Sequence, residues 1–348
     1  MSAPLGVIEG FFGKPWTDTA RLACAEFLRP RGFDFYVCAP KSDRFLRRQW
    51  ADPFPAPALA QLCELSSQIR ERAVRFGIGL CPYDIHRNYD AAARAALRAK
   101  VAQLDEIGTE LLCILFDDMP GSFAGLAPLQ ARVTADITEW SSAAAFIVCP
   151  TYYSDDPILA RVFGPAPQNY LQDLGRGLDP AVDVFWTGPE VCSSGYPDEH
   201  LEDVATRLGR RPFIWDNHIA NDGKLRCSHV YLDPHSSGWS LNRRLAAGLA
   251  VNPMNQPGLS RIALASYAAG AADAALESHV RSVCSAPLGA ALLGDVGLFQ
   301  GRGIAALDAA GRSALAEKYR RFEPQWCARE IIAWLEGEYE FDPNCLTQ

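Results

Sequence analysis

The sequence lacks the features that would place it in several broad classes at once. No apolar run approaches the roughly 18 residues of a membrane span, so no membrane partner is expected. Met1-Ser2-Ala3-Pro4 leads directly into Leu5-Gly6-Val7-Ile8, a start too short and too uncharged for a signal peptide. Basic residues are in deficit. Lys and Arg number 33 against 41 Asp and Glu, for a net charge of -8. Apart from short clusters such as Arg47-Arg48 and Arg320-Arg321 they are scattered, which leaves no stripe for tracking phosphates and argues against nucleic acid. No CxxC pair occurs, so neither a zinc ribbon nor a redox motif is signalled. The six histidines (His86, His200, His218, His229, His235 and His279) contain no HxH pair and sit mostly in loops. That argues against a metal-dependent barrel amidohydrolase, and no metal or cofactor is expected. Gly294-Asp295-Val296-Gly297 and Gly301-Arg302-Gly303 neither follow a strand nor fit GxGxxG, so a nucleotide site is not indicated. There is no Gly/Ser linker, internal repeat or low-complexity tract.

What is present is ordinary globular composition. The chain has 348 residues, 49% hydrophobic and 21% charged, enough for one large domain with an appendage. Of its eleven cysteines, Cys38, Cys81, Cys113 and Cys149 fall within apolar runs, where they read as small buried hydrophobes. Many free thiols without a leader favour a reducing cytoplasm.

Short apolar runs alternate with longer amphipathic ones. Strands are expected at Leu5–Phe11, Phe33–Ala39, Gly77–Cys81, Leu111–Phe116, Phe146–Cys149, Val182–Trp186, Phe213–Trp215 and Leu249–Val251. Helices are expected at Thr17–Leu28, Pro57–Arg75, Tyr89–Ile107, Leu126–Trp140, Pro157–Leu174, Glu199–Leu208 and Leu259–Ala272. The strands are continuous apolar runs, as suits strands covered on both faces of a parallel sheet. Eight strand–helix repeats in about 275 residues fit a (β/α)8 TIM barrel better than an open doubly wound sheet, the structural alternative. The weak link is Gly223–Leu241, which shows no clear helix. Residues 1–275 are read as the barrel. Residues 276–348, with helices at His279–Leu293, Ile304–Phe322 and Arg329–Tyr339, are read as a helical C-terminal extension packed on it.

Barrel enzymes build their sites at the C-terminal ends of the strands. Just past the expected strands stand Glu9-Gly10-Phe11-Phe12-Gly13, Ala39-Pro40-Lys41, Asp117-Asp118, Thr151-Tyr152-Tyr153, Trp186-Thr187-Gly188-Pro189, Trp215-Asp216-Asn217 and Asn252-Pro253. Carboxylates, amides, aromatics and one lysine on a single rim suit a sugar: hydroxyls need polar partners and a pyranose face wants an aromatic. Asp117 and Asp118 are the candidate chemistry. Two adjacent carboxylates cannot both ionise cheaply, so one should hold its proton, and an acid beside an ionised base is what glycoside cleavage uses. The plain alternative is that one caps a helix and the other is solvated. Gly10 also fits a simple tight turn, Lys41 a surface lysine, Tyr153 and Trp215 rim packing, and Asn217, Asp222 and Asn252 helix caps.

In order along the chain, Gly-Val-Ile-Glu-Gly-Phe-Phe-Gly, Ala-Pro-Lys, Phe-Asp-Asp, Pro-Thr-Tyr-Tyr, Trp-Thr-Gly-Pro, Trp-Asp-Asn and Asn-Pro-Met-Asn resemble the catalytic domain of glycoside hydrolase family 84, from Gly6 to about Tyr267. The resemblance implies a retaining, substrate-assisted exo-β-N-acetylglucosaminidase acting on terminal N-acetylglucosamine through an oxazoline. By resemblance, Asp118 is the general acid and then base, and Asp117 holds the N–H of the 2-acetamido group. Gly10 and Lys41 resemble binders of sugar hydroxyls. Asn217, Asp222 and Asn252 resemble further hydroxyl and acetamido partners. Tyr153 resembles the tyrosine at the acetamido group, and Thr187, Val191 and Trp215 resemble walls of the acetamido pocket. Protein-borne N-acetylglucosamine, a cell-wall fragment and a glycosaminoglycan end all present this sugar. Two positions depart from the family: Phe12 stands where a tyrosine is frequent, and Gly223 where animal members usually have one. A non-catalytic sugar-binding barrel is the competing reading; its mark, loss of Asp117 or Asp118, is absent.

Overall fold

A computed structural model of the chain describes residues 3–268 and 274–347. Eight parallel strands form a closed barrel in sequence order. They are β1 (Leu5–Glu9), β2 (Phe35–Cys38), β3 (Arg75–Leu80), β4 (Leu111–Leu115), β5 (Ala145–Cys149), β6 (Asp183–Trp186), β7 (Phe213–Asp216) and β8 (Gly248–Val251). Closure is made by β1 against β8, with Gly6 opposite Ala250 on one side and Phe35 on the other. Gly6 is required there because a Cβ would lie 2.3 Å from the Phe35 ring. Cys38, Cys81, Cys113 and Cys149 are all buried in this core.

The helices form where apolar spacing and caps coincide. In α1 (Asp18–Leu28), Thr17 Oγ1 accepts from Ala20 N at 3.2 Å, so the hydroxyl satisfies an end donor of the helix. Helices α2 (Ala56–Glu71), α3 (Ala91–Glu106) and α4 (Leu126–Trp140) follow. The single helix expected over 157–174 is two, α5 (Pro157–Phe163) and α6 (Tyr170–Gly177). Between them Gly164 sits at φ 83°, and Pro165 and Pro167 follow, residues that stop a helix without restarting it. Then come α7 (Asp198–Leu208) and α8 (Pro257–Ala265). The expected α8 residues 269–272 lie outside the described residues. Among the described residues no α-helix separates β7 from β8; the connection carries only 3-10 turns, one of them Arg226–Ser228.

Past residue 275 the chain is helical: α9 (Leu276–Arg281), α10 (Ala286–Val296), α11 (Ala309–Arg320) and α12 (Trp326–Leu335). The helix expected over 279–293 is thus divided, with Pro287 in the first turn of α10. The one expected over 304–322 begins late, where the Asp308 carboxylate caps α11. The last helix starts three residues before Arg329 and stops before Gly337, whose φ of 86° ends it. These helices share a second apolar core with barrel residues Val230, Leu232, Met254, Leu259 and Ile262. The buried Glu330 of α12 joins the two parts. Its carboxylate accepts from Gly258 N and Leu259 N, both at 2.8 Å, capping α8 from outside. Burial pushes its pKa up to about 7, against the pull of those two bonds.

Candidate active site

The C-terminal ends of the strands open into one cavity. It is lined by Gly10, Lys41, Asp117, Asp118, Tyr153, Thr187, Val191, Trp215, Asn217, Asp222 and Asn252, together with Phe12, Cys149, Cys345 and Thr347. All eleven residues singled out in the sequence therefore meet in one place. Lys41, an ordinary surface residue on composition alone, is buried there.

The charged group is built on β2 and β4. Lys41 Nζ forms an ion pair with Asp117 Oδ2 and lies 3.9 Å from Asp118 Oδ2. Burial alone would pull the Lys41 ammonium down, but the two carboxylates outweigh it and its pKa stands above the ordinary lysine value. The other oxygen of Asp117, Oδ1, is buried and has no hydrogen-bond partner among the described residues. An unpaired buried acceptor is costly, and its natural complement is an N–H donor. Asp118 is different. Burial pushes its pKa up to about 6, and the Asp117 charge adds to this. Lys41, Arg47 and a hydrogen bond from Tyr153 pull the other way. That bond runs from Tyr153 Oη to Asp118 Oδ1 at 3.1 Å. The Asp118 backbone is left-handed, at φ 54°, a conformation that aspartate tolerates better than most residues and that tends to persist where function requires it.

The walls come from β1, β6, β7 and β8. Asn217 is their hub. Its Oδ1 accepts from Trp215 Nε1 at 2.8 Å and from Asn252 Nδ2 at 2.9 Å, and its Nδ2 donates to Val191 O at 2.9 Å. Asn252 Oδ1 in turn accepts from Gly10 N at 3.1 Å. Gly10 is obligatory for more than a turn: a Cβ would stand 2.4 Å from the Trp215 ring. Thr187 is fixed by its N–H to Tyr153 O at 2.9 Å and its hydroxyl to Glu190 O at 3.0 Å. Asp222 Oδ2 accepts from Phe12 N at 2.7 Å, so the phenyl ring at position 12 is seated through its backbone.

Several details differ from the rim as read in the sequence. Glu9, first of the rim residues, is spent structurally: its carboxylate accepts twice from Arg21 at 2.8 Å, and from Trp16 N at 3.1 Å. Arg47, half of a basic pair, is not a surface charge. It is 4% exposed, its guanidinium lies 5.3 Å from the Phe12 ring centroid and 4.9 Å from that of Tyr83, and Nη2 donates to Asp118 O at 3.4 Å. The buried ring at position 50 gives the reason to look there: Trp50 Nε1 donates to Tyr83 O at 3.0 Å, closing the same corner. Cys345 and Thr347 had no signal in the sequence, being single residues in a short polar stretch.

Larger grooves exist elsewhere, one of about 420 Å3 against Trp326 and Tyr339, but it lies between the helical extension and barrel residues Thr17, Ala20 and Pro257, not at the strand ends. Among the described residues no cluster of three or more His, Cys, Asp or Glu side chains is placed to hold a metal. No helix among them is long and apolar enough to cross a membrane.

A family model described as beta-N-acetylglucosaminidase matches residues 5–285. The protein O-GlcNAcases of Mus musculus and Rattus norvegicus are each 31% identical over 227 residues, covering 62% of this chain and 24% of theirs. The chain thus matches about a quarter of the length of those relatives. A solved mutant of Thermobaculum terrenum O-GlcNAc hydrolase superposes with a TM-score of 0.74 at 25% identity, over 96% of this chain and 74% of that one.

Proposed function

The chain belongs to the beta-N-acetylglucosaminidase family, and from that premise we propose that it hydrolyses terminal β-linked N-acetylglucosamine with retention, the substrate's own acetamido group acting as nucleophile. The observation that carries this reading is the asymmetry of the two aspartates: a buried acceptor without a donor on Asp117, beside an Asp118 whose proton is held to about pH 6.

In this mechanism Asp117 Oδ1 accepts the N–H of the 2-acetamido group, while Lys41 pairs with the other oxygen of that carboxylate. The amide oxygen is thereby turned toward the anomeric carbon. It forms a bond to that carbon as the glycosidic bond breaks, and Asp118 gives its proton to the departing oxygen. The positive charge of the resulting oxazoline faces the Asp117 side chain. Asp118, now a carboxylate, takes a proton from water as that water adds to the anomeric carbon and the oxazoline opens. Two inversions at one carbon give net retention, and no protein carboxylate bonds to the sugar. Thr187, Val191 and Trp215 form the acetamido wall, and Gly10, Asn217, Asp222 and Asn252 meet the hydroxyls. A site built around a buried amide partner rejects sugars lacking it, because Asp117 Oδ1 would be left without a donor. Residues 276–348 act as a buttress of the barrel, and the eleven free thiols suit a reducing, cytoplasmic setting.

The test is inhibition by a thiazoline analogue of the oxazoline, with hydrolysis of an aryl β-N-acetylglucosaminide as readout. Tight competitive inhibition is expected. Weak inhibition together with a trapped covalent glycosyl adduct would establish a protein nucleophile instead.

A further inference from the structure

The segment that follows α12 runs back to the strand ends and enters the cavity. Its start is fixed at the β1 end of the barrel. Lys14 Nζ pairs with Glu338 at 2.9 Å and lies 5.4 Å from the Tyr339 ring centroid. A turn follows, in which Cys345 N donates to Asp342 O and Asn344 N to Asp342 Oδ1, both at 2.9 Å. Arg48 Nη2 reaches across to Asn344 Oδ1 at 3.2 Å. Beyond the turn the side chains alternate. Cys345 and Thr347 are 4% and 8% exposed and both line the cavity, while Leu346 between them is 55% exposed. In, out, in is the period of an extended peptide.

The position of these side chains matters more than their burial. Thr347 Oγ1 lies 3.5 Å from Tyr153 Oη, the same hydroxyl that donates to Asp118. The peptide therefore sits beside Asp118, the proton donor of the proposed mechanism. With it in place the cavity keeps a water-accessible volume of about 30 Å3. That is space for one or two waters and not for a hexose with a substituent on its anomeric oxygen.

We infer that residues 341–347 are an intramolecular ligand of the catalytic pocket, an extended peptide strap that covers its Asp118 side and competes with substrate. The inference rests on the glycosidase reading of the same pocket. The strap is built for release. Its polar ties to the barrel include an exposed hydrogen bond from Arg48, a long hydroxyl contact with Tyr153 and, at its first residue, a contact of the Phe341 backbone with Cys227, and the buried side chains are small. Opening is therefore a local event that leaves both apolar cores packed.

The experiment compares the full chain with a variant lacking residues 341–348, and with full-length Cys345→Trp, whose indole is too large for the remaining space. Two readouts are needed: turnover of an aryl β-N-acetylglucosaminide, and calorimetric binding of a synthetic peptide spanning residues 338–348 to the shortened chain. Peptide binding is expected. So is a KM at least about fivefold lower in both variants with kcat unchanged, and restoration of the higher KM by added peptide. A folded shortened chain that neither binds the peptide nor changes its KM overturns the strap. So does a collapse of kcat in both variants, which would make the segment part of the catalytic apparatus. Peptide binding without turnover by any form would uphold the strap and remove the glycosidase reading.

Discussion

Neighbouring aspartates on one strand end differ in the partners that reach them. Lys41 is paired with Asp117, whereas Asp118 receives a neutral phenol and a backbone-directed arginine. The proposed mechanism gives them different tasks, and that division can be measured. Asp118→Asn should lower kcat/KM at least about a hundredfold for substrates with poor leaving groups and much less for good ones. Equal loss across a leaving-group series would remove the acid role. The exchange is a clean one, because asparagine also tolerates the left-handed backbone at this position. If Asp118 is the general acid it must carry its proton, so the basic limb of the kcat/KM profile should fall as pH rises through about 6. Tyr153→Phe removes a bond that favours the ionised form and should shift that limb upward; a downward shift would contradict the arrangement. Most of this residue-level picture was legible in the sequence, since motifs at strand ends converge whatever the intervening loops do. What was not legible had a physical cause. Arg47 looks like any surface pair until two rings close over it, and Glu9 stands among the strand-end residues until Arg21 is seen to consume it.

Elements were legible where period and punctuation agreed. Leu126–Trp140 is the helix the spacing predicts, and all eight strands are where the apolar runs lie. Errors fell at breaks carried by single residues: Gly164 with its flanking prolines, Pro287, and the Asp308 cap. A helical period continues through such positions in sequence while the backbone does not. The joint between α12 and α8 was invisible for another reason, since nothing local marks Glu330 as a cap for residues 72 positions away. It makes a testable statement about pH. Its carboxyl keeps its proton longer in the folded chain than in the unfolded one. Folding is therefore favoured most below the ordinary glutamate range and loses stability as pH rises toward about 7. Asp118 acts in the same direction, up to about 6. Melting temperatures of Glu330→Gln should be lower throughout but fall less steeply between pH 5 and 8 than those of the parent. Parallel curves would mean that the joint does not titrate.

At the scale of the whole molecule, barrel and extension are bound through a shared interior. Val230 and Leu232 of the β7–β8 connection, and Met254, Leu259 and Ile262 after β8, pack with the later helices. Trp334 Nε1 also donates to Cys227 O at 2.9 Å. A chain cut after residue 275 would bare that apolar seam. It should form soluble aggregates or melt well below the parent, as read by light scattering and calorimetry. A monomeric fragment with the parent's melting temperature would show instead that the barrel is self-sufficient.

The missing β7–β8 helix turns this dependence into something that can be watched. The other strand-to-strand connections each bring their own helix, whereas the β7–β8 connection packs Val230 and Leu232 against helices made later. During synthesis, then, the barrel's last seam waits for its cover. Deuterium uptake at the Val230 amide, which donates to Phe299 O at 3.0 Å, should be slow only after residues 276–339 have docked, which makes that connection a gauge for a half-assembled barrel.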